Sequence, residues 1–223
     1  MDPSSQAGLT PEQLNRKIAS EKIAKEHEVP VNSTLPYTEA DEEVTLRTRD
    51  EIVDRALSLF YIALKGEGLE KVFLTDFEKK YQVLSKLSPE EKDYALAENP
   101  TQQQSIDAVW RYESLQVMLW ALGYVDQLEY PDSLCRVPEL VSIFRTYPDE
   151  TSFRQNARLR TKSEILDQTD LIYRLDWACV DARIHNQPAP GKLDAGVVYE
   201  RHYALNWLTN YMEDEWDDIS TDT

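Results

Sequence analysis

Five times along this chain a threonine or serine stands three residues ahead of a glutamate or glutamine, at the mouth of a stretch with helical spacing. The pairs are Thr10 with Gln13, Thr48 with Glu51, Ser88 with Glu91, Thr101 with Gln104 and Thr161 with Glu164. In such a pair the hydroxyl accepts the N–H of the third helical residue while the later side chain reaches back to the N–H of the cap. The first N–H groups of a helix have no partner inside it, so the pair both opens a helix and fixes where it opens. Pro11 and Pro89 fall at the first helical position, where a missing N–H costs nothing. A chain punctuated in this way is committed to helices before its apolar residues are considered.

Apolar spacing supplies the bodies of these helices. After Thr48, residues Ile52, Val53, Ala56, Leu59, Phe60 and Ala63 recur at steps of three and four, and Gly66 and Gly68 end the run. The same reading predicts helices from Pro11 to about Glu28, over 70–86, from Ser88 to the break at Asn99-Pro100, from Thr101 to about Leu122, and over 138–147, 150–185 and 196–213. The cap pair at Thr161 predicts a break in the 150–185 stretch within about three residues of Arg160. Leu115, Val117, Met118, Leu119 and Trp120 place the end of the Thr101 helix deep in the core. Two prolines and a run of acids in "VPVNSTLPYTEADEEV" predict an extended surface connection, and "MDPSSQAG" reads as a frayed tail. The expected fold is all-α: one helical domain of about eight helices over residues 41–223, with an N-terminal tail, helix and arm over 1–40.

Composition agrees with that class and narrows function. Only six of 223 residues are glycine, which leaves few tight turns, and 41% are hydrophobic, enough for one sizeable core. The net charge of −17 opposes nucleic acid and anionic lipid, whose phosphates are bound by displacing counterions with Lys and Arg. Neither nucleic acid nor membrane is therefore expected as a partner; a basic protein is. The N-terminal stretch "MDPSSQAGLTPEQLNRKIASEK" lacks the apolar core of a secretory signal, and no stretch of about 18 apolar residues has the length of a membrane span. Cys135 and Cys179 lie in apolar surroundings without CxxC spacing, which reads as buried free thiols in a reducing cytoplasm.

The sequence also repeats itself. "LRTRDEIVD" at 46–54 and "LRTKSEILD" at 159–167 share six of nine residues, and Tyr112-Glu113 with Trp120 matches Tyr199-Glu200 with Trp207 at the same spacing. Two readings stand: two related helical halves, or the same cap chemistry reached twice, each box preceded by an arginine set to pair four residues on.

Taken together, "VNSTLP", "LRTRDEIVDRAL", "WRYESLQVMLWALG", "EILDQTDLIYRLDWACVDAR" and "VVYERHYALNWL" with "WDDISTDT" resemble an uncharacterised bacterial family, domain of unknown function 4272, over about residues 14–223. The resemblance implies no activity, cofactor or catalytic residue. Candidates for chemistry come from the residues themselves.

Asp167, Asp170, Arg174 and Asp181 share one stripe of a helix among Leu171, Ile172, Tyr173, Leu175 and Trp177, so Arg174 is expected to be buried and paired with an aspartate of its own stripe. His202, Asn206 and Asn210 form a polar line on the last helix, flanked by Glu200 and Arg201. His202, Glu200 and Arg174 are the catalytic candidates, His202 as general base. Trp177, Asp181, Asn206 and Glu113 are the binding candidates. No zinc spacing, EF-hand, phosphate loop, dinucleotide fingerprint or GxSxG is present, so no cofactor is expected. Asp217, Asp218 and Asp222 offer oxygens to a divalent cation such as Mg or Ca. Trp216 predicts that this acidic end folds back on the body.

Two functions follow: an acidic helical interaction protein without catalytic activity, or a small-molecule or metal-assisted hydrolase built on His202, Glu200, Arg174 and the terminal aspartates. Whether those side chains converge on one concave site divides the two.

Overall fold

All five cap pairs close in both directions. Thr48 Oγ1 accepts the Glu51 N–H at 3.3 Å while the Glu51 carboxylate accepts the Thr48 N–H at 2.7 Å, and the same exchange opens the helices after Thr10, Ser88, Thr101 and Thr161. The computed structural model describes residues 9–147 and 149–223, so the tail "MDPSSQAG" lies outside the described residues. Within them are nine α-helices and no strand: α1 (Pro11–Glu26), α2 (Arg49–Gly66), α3 (Lys71–Tyr81), α4 (Pro89–Leu96), α5 (Gln102–Ala121), α6 (Val137–Thr146), α7 (Glu150–Asn156), α8 (Lys162–Ile184) and α9 (Ala195–Leu208). No helix among the described residues is long and apolar enough to cross a membrane.

The core forms where apolar spacing puts it. Ile52, Val53, Ala56 and Leu57 of α2 meet Leu115, Met118 and Leu119 of α5, all without solvent exposure, and α5 also packs on α9, which packs on α8. Each fully buried aliphatic side chain is worth about 1.5–3 kcal/mol of transfer free energy. Gly66, ending α2, rests on Ser105 and Ala108 near the start of α5, where an added Cβ would come within 2.9 Å of both.

One expectation about these elements holds and two change. The 150–185 stretch does break where predicted, between Asn156 and Thr161, and this gives α7 and α8. The last helix ends at Leu208 and not near 213: Thr209 Oγ1 bonds the Leu205 carbonyl, and Asn210 turns left-handed at φ 55°, a conformation asparagine tolerates. Asn210 therefore leaves the line of His202 and Asn206. The connection after α1 is not a surface strap, because Val29, Leu35, Ala40 and Val44 are buried along it. Lys17 of α1 donates to the Ser33 and Leu35 carbonyls at 2.9 and 2.7 Å, and Arg16 pairs with Asp41 and Asp167, so helix and connection are tied to α8. Prolines read as surface signals, yet the extended backbone they impose can be buried when every few residues one is apolar.

The internal echo has a spatial counterpart. Arg47, of the first repeated segment, donates its backbone N–H to the Leu208 carbonyl and its Nε to the Trp207 carbonyl, with the guanidinium 5.1 Å from the Trp207 ring. Arg160, of the second, donates its N–H to the Ala121 carbonyl and its Nε to the Trp120 carbonyl, with the guanidinium 5.0 Å from the Trp120 ring. Each also pairs with the glutamate of its own box, Glu51 or Glu164. The arginine of each copy thus closes the helix end that carries the tryptophan of the other. Capping chemistry accounts for the Thr–Glu pairs and not for this crossed pairing.

Candidate functional site

The catalytic candidates begin with His202, on the third turn of α9. Its Nδ1 lies 2.9 Å from Asp176 Oδ2 on α8, and both side chains are buried. Asp176 and Cys179, one turn apart on α8, line a cleft of about 840 Å³ that also takes in Arg183, Tyr199 and Asp222. A carboxylate on one imidazole nitrogen fixes the ring and its tautomer, the orienting half of an acid–base device. Cys179 does not complete such a device, because no hydrogen bond joins it to His202. Burial, with the Asp176 and Asp194 carboxylates adding to it, pushes the Cys179 thiol up to about 12. A thiol so placed holds its proton and attacks nothing at neutral pH.

The other candidates lie elsewhere, each held by partners of its own. Glu200 accepts from Arg111 at 3.0 Å and from Ser114 Oγ at 2.6 Å, both on α5. Arg174 makes a two-pronged bond to Asp170, 2.8 Å on each prong, as its stripe predicts. Its third contact is the Pro36 carbonyl. Asp181 pairs with His185, and Trp177 is half-buried against the core. Asn206 Nδ2 donates to the Ser220 carbonyl at 2.8 Å and so ties down the terminal segment. Glu113 accepts the Cys135 N–H at 2.7 Å.

The three terminal aspartates do not gather. Asp217 accepts the Glu90 N–H at the start of α4, Asp218 borders a groove with Lys86 and Arg55, and Asp222 sits by the cleft of Asp176. Among the described residues no three His, Cys, Asp or Glu side chains are placed to share a metal ion. The carboxylate nearest a helix N-terminus is drawn to its free N–H groups, which is why Asp217 is spent on α4. Trp216 is buried as predicted, edge-on to Tyr203 at 4.9 Å and to Trp207 at 5.8 Å.

Beside Trp216 runs a groove of about 390 Å³ whose floor is Tyr94, Tyr203 and Trp216 and whose rim carries Glu90, Asp93, Asp107 and Asp217. Glu90, Asp93 and Asp107 are exposed, and Arg111 crosses the floor 5.1 Å from the Tyr203 ring. Sequence reasoning missed Asp176 and Arg111. Both sit on helices it identified, but their partners lie 26 and 89 residues away, and no local spacing reports that.

Residues 16–219 match the family described as Domain of unknown function (DUF4272). The chain belongs to that family. The DUF4272 match reaches from α1 to the turn after Trp216, so the cleft's Asp176–His202 pair, the aromatic groove and the crossed arginines all fall inside it. Neither a curated protein nor a solved structure matches the chain.

Proposed function

We propose that this chain is a non-catalytic acidic binding protein that docks a basic protein segment in the groove rimmed by Glu90, Asp93 and Asp107. One observation carries the reading: His202, Glu200 and Arg174 are each spent in a separate buried pairing and do not face one another across a site. The groove, by contrast, rings with exposed carboxylates an aromatic floor that already carries Arg111, and that rim suits the charged tip of an incoming lysine or arginine. The net charge of −17 draws such a partner in from solution. Two free thiols fit a reducing, cytoplasmic setting.

The test is calorimetric titration with a lysine- and arginine-rich peptide at rising salt. Binding should weaken as ions screen the rim, and Glu90→Gln with Asp93→Asn and Asp107→Asn should weaken it further while leaving the melting temperature in place. Equal binding by the wild-type and triple-substituted chains would place the partner elsewhere.

A second reading has one observation of its own, the Asp176–His202 pair, whose aspartate lines the cleft while the histidine lies behind it. It makes the chain a small-molecule hydrolase, with a divalent cation in its metal-assisted form. Thermal unfolding with Mg or Ca separates the two, since a cation bound only by the native state raises the melting temperature and the docking reading expects no response.

A further inference from the structure

A second pocket, sharing no lining residue with the acidic groove, opens between the first half of α5 and the segment leading into α6. Its volume is about 340 Å³, and its walls are Ile106, Val109 and Trp110 on one side and Leu134 and Val137 on the other. Leu134 is 60% exposed and Ile106 43%, so these apolar side chains stand in water. Glu113 and Cys135 also line it. Glu113 is only 2% exposed. One carboxylate oxygen, Oε1, takes the Cys135 N–H at 2.7 Å; the other, Oε2, is buried without a hydrogen-bond partner among the described residues, and the Cys135 thiol and the Arg201 guanidinium act on the same carboxyl. It is the one buried side-chain oxygen or nitrogen of this lining without a partner.

A buried carboxyl oxygen without a hydrogen bond is costly, by about as much as a lost charged hydrogen bond, and beside an apolar pocket it offers an acceptor to a ligand that carries a donor. We infer that this pocket is a binding site for a small apolar amine, whose ammonium donates to Glu113 and whose hydrocarbon body lies against Trp110, Ile106 and Leu134. An amine fits better than an alcohol for two reasons. The chain's negative field concentrates cations, and the ring of Trp110 adds a cation-attracting face. Burial pushes Glu113 up and Asp194 adds to this, against the Cys135 bonds and the Arg201 guanidinium. An arriving ammonium acts the other way and favours the charged carboxylate.

The experiment is calorimetry on the full chain at neutral pH with phenethylamine and with phenethyl alcohol, which has the same body and no charge. The amine should bind about tenfold tighter or better, the range of one charge-assisted hydrogen bond. Glu113→Gln should erase the preference while still binding the alcohol, which shows the pocket intact. Val109→Trp, at a position already 37% exposed, should fill the pocket and block both compounds without touching Glu113. If the alcohol binds as tightly as the amine, if Glu113→Gln keeps the preference, or if neither compound binds, the assignment fails. Because the two sites share no residue, none of these outcomes bears on peptide binding in the acidic groove.

Discussion

Arg174 grips Asp170 with two nitrogens, each 2.8 Å from a carboxylate oxygen, at a place where the two side chains keep only 4% and 1% of their exposure. Thr38 adds a hydroxyl donor to the same carboxylate. Removing either member strands the other, but unequally. A lone carboxyl can take up a proton, whereas a guanidinium cannot shed one. Asp170→Ala should therefore cost about 3–5 kcal/mol in urea unfolding, and Arg174→Met distinctly less. The opposite order would show that the pair is not the source of the stabilisation.

The terminal segment is tested through Trp216. Its indole is 4% exposed, with the Arg55 guanidinium 4.8 Å from its ring on one contact and Arg111 at 5.8 Å on another. Trp216→Ala should cost about 3–5 kcal/mol, as large-to-small changes in cores do. Deleting residues 214–223 should cost at least as much. A loss under about 0.5 kcal/mol, the scale of a surface change, would detach the segment from the body.

Alkaline pH should weaken the fold from about pH 9 upward. Burial pushes Cys179 from 9.0 up to about 12, and likewise pushes Tyr81 and Tyr130 from 10.0 up to about 12. Below pH 9 both folded and unfolded chains hold these protons and the stabilisation is fully present. Between pH 9 and about 12 the unfolded chain releases protons that the folded chain keeps, so stability falls as pH rises. Urea midpoints should decline steadily from pH 9 to 11, and Cys179→Ala should remove the earliest part of the decline. A flat profile over that range would contradict it.

Gly191 holds α1 to the loop before α9. Its φ is +58°, and a Cβ there would lie 2.4 Å from Val29 Cγ2 and 2.5 Å from the His27 carbonyl oxygen. Backbone strain and a backbone clash act together, so Gly191→Ala should destabilise by about 1–3 kcal/mol or more. The Tyr130 hydroxyl, which donates to the Gly191 carbonyl, and the His27 ring stacked on Tyr130 at 3.7 Å should shift with it. Loss of the His27 ring-current shift in proton NMR is the local readout; an unchanged spectrum and melt would refute the tight approach.

What could be read from the sequence follows chain distance. A cap pair spans three residues and the Arg174–Asp170 pair four, so both declare themselves in the sequence, as does an indole too costly to leave in water at Trp216. Asn210 leaves the helix because Thr209 seals the last carbonyls from its own side chain, a choice that competes with helix continuation at nearly equal energy. His202 was singled out, yet its role turns on Asp176, an aspartate like the others on α8 until α9 lies against it. Glu113 was singled out too, but its unbonded oxygen depends on where Cys135 crosses.

The crossed arginines set an order on biosynthesis. Arg160 meets a Trp120 carbonyl made 40 residues earlier, whereas Arg47 must wait for Trp207, 160 residues later. At about 5–20 residues per second, that wait is roughly 8–32 s. Throughout it α2 can already seat on α5, but Arg47 at its start lacks the Leu208 carbonyl and the face of α5 that meets α9 lies bare. The emerging N-terminal half therefore keeps the α9-facing side of α5 open to water until the C-terminal helices are made, and that bare helical face is the surface a chaperone would meet first.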